Sequence, residues 1–561
     1  PLADFPNTVM NEVPLWLPYD PGARGPEAAP RSAPAQLLTE QWVRLSRRAL
    51  VPPRAIGIVD HTGACAELAA ALCAAATDIG GTARVIDTGS TTVDFDSCVI
   101  LLPQSPGQDD AAAAAAVSAF FTDRRWWPGS AGPMTDCWLV TVAGEAVVAG
   151  DEPPDLVHAG ISAGFRSIGA EHPGVRFRHL DLPGPAASAG TIISALHTAD
   201  ETELALRGGG LYAKRITTAA NPTGTARPPT HVLILGGTGH LGLEFCEHFA
   251  RGGAQRITLV SRSGETAAVA DRLRRIRSAG AAQIDVHSCD VGDRAAVARL
   301  AEQCADAPAD LIIQAALAYS DAELADITAE QADRVLRGKV AGSWEILRAF
   351  PRTENCRVVL CSSVAATIGG RGQIVYAAAN RMLDAMAHRL RAEGLDCVAV
   401  QWGQWTVHFD LDPAGWARLA ATGLLPMRPA DAIAVGLAPL GGNAIVAGFD
   451  LASARPVLAA FGYGPLLSEL AAPDAPAPVA APIAEPDLEQ RLMGLLAGAI
   501  GVDRVATIDT AVPMVAIGLD SLQALEFRRR VKSELNHDLD VADLLGGASI
   551  ADVLVSVRSG R

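Results

Sequence analysis

Aromatic side chains are scarce in this chain: Phe, Trp and Tyr make up 5% of its 561 residues, and five are tyrosines. No apolar run approaches the roughly 20 residues of a membrane span. The longest candidate, 111–121, is short and reads as a helix capped by Asp109 and Asp110. The ten cysteines are scattered, without CxxC pairs or finger-like Cys/His spacing. That argues against structural zinc and for reduced thiols in a cytoplasmic setting. Cations are outnumbered, with 46 Lys and Arg against 62 Asp and Glu, a net charge of −16. Such a balance argues against a general nucleic-acid partner. The one dense basic cluster, Arg528-Arg529-Arg530, reads as the solvated face of a helix, with docking of a partner as the lesser alternative. Neither a signal segment nor an initiator methionine precedes Pro1, so the chain is expected to be a piece of something longer.

Against those absences stand 53 glycines and a hydrophobic content of 49%, which fit an α/β architecture. The length suits about three or four domains. From Ala55 to Asp181 short β-rich runs alternate with helical ones. Ile56–Val59, Arg84–Ile86, Cys98–Leu102 and Cys137–Val142 read as strands, with helices near 66–75 and 111–121. Such alternation predicts a parallel sheet covered by helices. The first strand runs into His61-Thr62-Gly63-Ala64-Cys65, which lacks the glycine spacing of a pyrophosphate turn, so this unit is expected to bind no nucleotide. Asn221-Pro222-Thr223 and Pro228-Pro229 break the pattern, and a second α/β unit begins at His231. Residues 471–486 form an Ala/Pro tether by composition. A helix over 488–500 follows, then an amphipathic one after Gly518.

In the second unit the strand-like run His231–Leu235 is followed by Gly236-Gly237-Thr238-Gly239-His240-Leu241-Gly242 and a helix over 243–250. Glycines 237, 239 and 242 hold GxGxxG spacing in a strand–turn–helix context. They permit a tight turn, approach of a pyrophosphate to bare backbone, and close helix packing. The next strand, Arg256–Ser261, ends at Arg262, about twenty residues beyond the glycines, where an acid would favour NAD and an arginine suits the 2′-phosphate of NADP. The alternative for Arg262 is an ordinary surface charge. Asp290, after the run Ile284–Cys289, could hold an adenine amine or cap its own loop.

Near the C-terminus, Gly518-Leu519-Asp520-Ser521-Leu522 opens a helix whose residues Ala524, Phe527, Val531 and Leu535 form one apolar stripe. Asp520 and Ser521 suit its first positions. The pentapeptide resembles the attachment site of acyl carrier proteins, in which Ser521 would take a 4′-phosphopantetheine arm; an ordinary capped helix is the alternative. The motifs Gly236–Gly242, Ser261-Arg262-Ser263-Gly264, Cys289-Asp290-Val291 and Gln314-Ala315-Ala316 are similar to ketoreductase domains of modular type I polyketide synthases, in the short-chain dehydrogenase group. The likeness runs from about Pro52 to the C-terminus, and Arg207–Arg215 is similar to the closing strand of that family's structural subdomain.

The resemblance implies two Rossmann-like subdomains followed by a small helical-bundle carrier. Residues 1–50 would be a linker and the N-terminal part of the structural subdomain, 51–218 that subdomain without cofactor, and 219–470 the catalytic subdomain with NADPH. Residues 471–486 would be the flexible linker and 487–561 the acyl carrier protein. The expected NADPH contacts are Gly236, Gly237, Thr238, Gly239, His240, Leu241, Gly242, Ser261, Arg262, Asp290, Val291, Gln314 and Ala315. Reduction of a ketone needs a proton donor, a group to polarise the carbonyl, and a cation that makes a phenol near pKa 10 acidic enough to serve. The strand-like Val358–Val364 ends in hydroxyls, and Tyr376-Ala377-Ala378-Ala379-Asn380 opens a helix in which Asn380 lies one turn beyond Tyr376. By resemblance Tyr376 is the proton donor, Ser363 holds the carbonyl oxygen, Lys339 lowers the tyrosine pKa, and Asn380 orders a relay water.

Trp402-Gly403-Gln404-Trp405 would close the nicotinamide pocket, and 406–425 would be a mobile lid, with His408 on its surface. The substrate would be a tethered 3-ketoacyl thioester; upstream ketosynthase and acyltransferase domains and a phosphopantetheinyl transferase would be partners, with no nucleic acid, membrane or metal. Asp321, in Tyr319-Ser320-Asp321, stands where the family's stereocontrol motif ends, and Ile368 where A-type domains carry tryptophan, which points to B-type reduction and a D-hydroxyl. Neither a GxSxG elbow nor a condensing-type cysteine nor a dehydratase-like histidine motif is present. Two alternatives remain: the reductase–carrier part of a fatty acid synthase, or an inactive scaffold and carrier.

Overall fold

The computed structural model describes residues 32–86, 94–105, 109–129, 133–172, 174–184, 186–220, 228–408, 422–460, 462–470, 488–500, 510–517, 519, 521–535 and 537–559. In the first half the strands are β1 (Gln36–Arg44), β2 (Ala55–Val59), β3 (Thr82–Val85), β4 (Ser97–Leu101), β5 (Asp136–Val142), β6 (Arg176–Leu182), β7 (Glu203–Arg207) and β8 (Gly210–Thr218). The second half adds β9 (His231–Leu235), β10 (Arg256–Ser261), β11 (Gln283–Ser288), β12 (Ala309–Gln314), β13 (Arg352–Ser363), β14 (Asp396–Trp402), β15 (Leu424–Leu425) and β16 (Ala444–Phe449). Fifteen of them form one sheet in the order β11-β10-β9-β12-β13-β14-β16-β1-β8-β7-β6-β5-β4-β2-β3, with β15 paired antiparallel to β16.

From β11 to β16 every pairing on this path is parallel, and β9 through β14 follow the 3-2-1-4-5-6 order of a dinucleotide-binding sheet. Ligands in such sheets lie beyond the strands' carboxyl ends where the order reverses, here between β9 and β12. The first half, β3-β2-β4-β5-β6-β7, is parallel too and ends in the antiparallel pair β7–β8. The segment Arg207–Arg215 is therefore a hairpin rather than a single closing strand: Gly208 and Gly209, at φ of 52° and 72°, turn it between β7 and β8. β1, within the stretch assigned to linker and N-terminal part, joins the halves by pairing antiparallel with β16 on one side and β8 on the other.

The halves also share a core. Every residue of the helix Leu156–Ile168 is buried, and it lies along the helix Ile374–Ala392 of the second half. Glycine permits that approach: a Cβ at Gly160 would stand 2.8 Å from Met382 Cγ, and one at Gly164 3.0 Å from Ile374 O. The Ala-rich helix spans Asp110–Thr122, and only Asp109 caps it, accepting from the Ala112 amide. Asp110 instead lies buried in the first turn and pairs with Arg389 at 2.5 Å. A buried carboxylate gains more from a guanidinium than from a partly solvated helix end.

Charges cross the same seam. Arg381 binds Glu40 of β1 at 2.9 Å and also Glu145 of the first half. Lys214 of β8 holds Glu145 at 2.8 Å and lies 3.9 Å from Glu203, which pairs with Arg166 at 2.6 Å. Glu145, His179 and Glu203 are near enough to share a cation, and the Lys214 ammonium provides that charge.

The C-terminal unit consists of the helices Leu488–Ile500, Ser521–Leu535, Val541–Leu545 and Ile550–Ser559 with a 3-10 turn over Met514–Ile517. Leu492, Leu496, Met514, Ala524, Phe527, Val531, Leu544 and Ile550 form its core, so the stripe on the second helix is the face it buries. Arg528 pairs with Asp538 at 2.7 Å, and Arg529 with Glu526 at 2.8 Å, as expected of a solvated basic face. Ser521 is the first residue of its helix; its side chain, Gly518, Asp520 and the tether all lie outside the described residues.

Candidate active site

At the carboxyl ends of β9, β10 and β12 the glycine turn packs too tightly for side chains. Gly236 takes φ of +70°, and a Cβ there would stand 2.6 Å from Ala316 Cα. One at Gly242 would meet Gly236 O at 2.3 Å, and one at Gly237 would meet Leu259 Cβ at 2.7 Å. Gly239 differs, with its nearest neighbour at 3.2 Å, and it lines the open cleft together with Gly236. The left-handed residue is Gly236, one position ahead of the GxGxxG pattern, so the tight turn begins earlier than the spacing suggests. The helix beginning at His240 directs its positive end into the cleft, where His240 and Leu241 stand.

Around this turn Thr238 Oγ1 donates to Ser261 Oγ at 2.8 Å, and Ser288 Oγ donates to Arg262 O at 2.8 Å. The Arg262 side chain is exposed and lines the cleft without an ion pair among the described residues. Asp290 caps its own loop, its Oδ1 accepting from the Gly292 amide at 2.9 Å, and with Val291 also lines the cleft. Gln314 is buried; its Nε2 donates to Lys339 O at 3.4 Å while its Oε1 has no partner, and Ala315 borders the cleft.

The same cleft, about 1800 Å³, continues to Lys339, Ser363 and Tyr376. β13 carries Ser363 at its end, and its Oγ accepts from the Ala365 amide at 3.3 Å. The helix bearing Tyr376 starts two residues before it, at Ile374. Lys339 sits in a π-helical turn, Arg337–Ala341, a local widening that often marks functional positions. Its ammonium is buried, donates to Cys361 O at 2.9 Å and lies 5.7 Å from the Tyr376 ring centre. Burial pulls the Lys339 pKa down to about 8. The Tyr376 phenol is pushed up by burial, with hydrogen bonds from Ser363 and Asn380 pulling the other way. In this structure it therefore sits above, not below, the ordinary value. Asn380 is fully buried, its Nδ2 donates to Tyr376 O at 2.7 Å, and its Oδ1 has no partner.

Other contacts could not be read from spacing. The Tyr319 ring stands edge-on to Tyr376, centres 5.2 Å apart at 70°, and with Leu317 forms an exposed apolar rim. Asp321 turns away from the cleft, its Oδ1 against Gly372, whose φ is +72°. Trp402 and Trp405 are buried with ring centres 5.1 Å apart and pack on Phe245, while Gln404 lines the cleft with a buried, unpartnered Oε1. The lid assigned to 406–425 is described only as the 3-10 turn Thr406–His408 and from Thr422 onward; residues 409–421 and the His408 side chain lie outside the described residues.

With that geometry in hand, comparison with known proteins gives a consistent result. Residues 28–216 match the Rossmann fold domain of the polyketide synthase extender module SpnB, 230–407 match the KR domain, and 490–554 match the phosphopantetheine attachment site. The chain is 32% identical to polyketide synthase GfsA of Streptomyces halstedii over 446 residues, 72% of this chain and 6% of that one. It is likewise 32% identical to the pikromycin polyketide synthase component PikAIII of Streptomyces venezuelae over 453 residues, 73% of this chain and 29% of that one. It thus spans a small part of these relatives. Among solved structures it is similar to the PlmKR1 ketoreductase from the first module of phoslactomycin biosynthesis in Streptomyces sp. HK803, with 26% identity and a TM-score of 0.64, covering 77% of this chain and 98% of that one. An A1-type ketoreductase is similar at 27% identity and a TM-score of 0.64, covering 78% and 97%. A linked pair of α/β halves, a glycine-turn cleft and a helical carrier unit agree with these matches: the chain belongs to the ketoreductase and acyl carrier region of the modular polyketide synthases.

Proposed function

We propose that the chain reduces a carrier-bound 3-ketoacyl thioester to the 3-hydroxyacyl form, using NADPH in preference to NADH. The observation that carries the reading is the meeting of Lys339, Ser363 and Tyr376 with a glycine turn and Arg262 in one cleft. The residues fit such a cofactor: Gly236, Gly237, Gly239 and Gly242 leave a bare backbone cradle, and Gln314 and Gln404 hold unpartnered buried oxygens. Thr238, His240, Leu241, Ser261, Asp290, Val291 and Ala315 would complete the contacts. NADPH, when bound, supplies the hydride that reduces the carbonyl carbon. Ser363 Oγ donates to the carbonyl oxygen, and Tyr376 gives its phenolic proton to that oxygen as it becomes an alkoxide, contributions of about 10²–10⁴-fold each for such groups. Lys339 stabilises the resulting tyrosinate by its charge, and the free Asn380 Oδ1 orders the water that returns the proton. Oxidation of NADPH by the intact chain with a cyclic ketone tests the reading; no oxidation would favour a scaffold and carrier without reductase activity.

We assign 51–218 to the structural subdomain, 219–470 to the catalytic one and 487–561 to the carrier, in a cytoplasmic protein consistent with ten free cysteines. Upstream ketosynthase and acyltransferase domains would supply the tethered substrate. A phosphopantetheinyl transferase would load Ser521, and Ser521→Ala should accept no 4′-phosphopantetheine by intact-mass measurement while still reducing free ketones across the tether. An arm on the alanine variant would place the site elsewhere. The exposed Arg262 predicts that Arg262→Ala weakens NADPH binding by about 1–3 kcal/mol and leaves NADH nearly unchanged in a fluorescence titration. Equal losses for both cofactors would refute that assignment. Ile368 lines the cleft where A-type domains carry tryptophan, and this, with the motif position of Asp321 rather than its carboxylate, which turns onto Gly372, supports B-type entry and a D-hydroxyl product. Chiral chromatography of the product decides it, a predominant L-hydroxyl being the contrary result.

A further inference from the structure

We propose that Glu171, a side chain of the cofactor-free half, is a positioning residue for the substrate entrance, clipping together the two loops that frame Tyr376. This rests on the reductase reading above. Glu171 ends the 3-10 turn after the buried helix Leu156–Ile168, so its backbone is fixed by the seam between the halves. Its Oε2 accepts from the Leu324 amide at 2.9 Å, and the Gly372 amide on the facing loop favours the charged form of the same carboxyl. Leu324 follows the segment that bears Tyr319 and Asp321; Gly372 lies in the turn that leads into the Tyr376 helix.

The two loops also hold each other. The Ala322 amide donates to Gly372 O at 2.9 Å, and Arg371 pairs with Glu323 at 2.7 Å. The Tyr319 ring rests against Tyr376 across the same gap. Those contacts set the loops against one another. Only a third body can set both against the core, and Glu171 supplies that anchor, helped by Arg124, which donates to Ala325 O. The clip is costly to build. Glu171 Oε1 is buried without a partner, and burial raises the carboxyl to about 7, with Glu323 adding repulsion and Arg371 attraction; His172 is the next group along the chain. A group kept in so poor a place needs a compensating role, and the loops it joins are those an incoming acyl arm must pass.

Hydrogen exchange, read by mass spectrometry on the full chain, tests the clip directly. Glu171→Leu keeps the bulk but removes the acceptor, and exchange at 321–326 and 369–373 should rise about tenfold, with a similar rise in KM for a short 3-ketoacyl thioester. NADPH affinity and kcat should stay near wild type, whereas a general loosening of the fold would weaken the cofactor too. Glu171→Gln, which keeps an acceptor oxygen, should restore most of the protection. Unchanged exchange in the leucine variant, or an unchanged KM with loosened loops, overturns the proposal, as does a parallel loss of NADPH binding. Should the leucine variant not fold, Glu171→Ala must show the same loosening at 321–326 and 369–373 and the same rise in KM, both of which Glu171→Gln lacks; an alanine variant that matches Glu171→Gln overturns it. A wild-type chain that oxidises no NADPH would refute the reductase reading instead, and the exchange comparison would still judge the clip.

Discussion

Tyr376→Phe is expected to slow ketone reduction by about 10²–10⁴-fold, the usual contribution of a positioned general acid, with NADPH still bound. The change removes one oxygen from a ring that keeps its other neighbours: Tyr319 edge-on at 5.2 Å and Asn380 bound to the backbone carbonyl at 2.7 Å. Loss of rate without loss of cofactor is then a loss of chemistry. Single-turnover absorbance at the nicotinamide band measures it, and a phenylalanine variant within a few-fold of wild type would exclude the tyrosine as donor. Lys339 adds a pH limb. Its folded pKa lies near 8, below the ordinary lysine value, so its charge disappears as pH rises through that value. The rate should fall above about pH 8, and Lys339→Met should remain slow throughout without that limb.

Arg381→Ala should destabilise the fold by about 3–5 kcal/mol, the range for removing one partner of a buried ion pair. The arginine is nearly fully buried and binds Glu40 of β1 and Glu145 of the first half, while its own helix carries Tyr376. Without it, two largely buried carboxylates lose their main counter-charge. Burial alone would raise both carboxyls, but Arg381 and Lys214 outweigh it and hold both below the usual carboxylate range. A depressed folded pKa gives stability that is present above the unfolded value near 4.5 and is lost as pH falls through the folded one. Wild type should therefore lose more stability on acidification than the alanine variant does. Chemical denaturation near neutral pH and near pH 4 measures both; a variant as stable as wild type would show the pair to be dispensable.

What the chain discloses about itself follows the range of each interaction. The glycine turn, the strands Val232 to Leu235 and Ile257 to Val260, and the stripe through Phe527 and Val531 are local patterns, and each lies where its periodicity indicates. Long-range pairing left no such trace. β1 hides in a stretch next to proline-rich sequence because its partners Thr217 and Ile445 lie far along the chain. Asp110 looked like a cap since nothing nearby announces Arg389. Helix periodicity does not reveal the extra residue of the π turn at Lys339, and Glu171 and Tyr319 acquire significance only through loops brought together in space. Motif spacing thus pointed to residues that the fold brings into one cleft, while the supports around them depended on long-range contacts.

The position of β1 has a practical meaning for anyone who would move this reductase into another assembly line. A graft begun at the proline-rich break near residue 228 would look clean on paper, yet it would leave behind Gln36–Arg44 and expose the flank of β16 where Gln36, Leu37 and Leu38 pair. An unpaired strand edge is a template for association with other chains. It would also discard Glu40 and so strand Arg381 in the interior. The transferable unit is therefore one that begins upstream of Gln36 and keeps the first α/β half, which serves the graft as the covering the second half cannot make for itself.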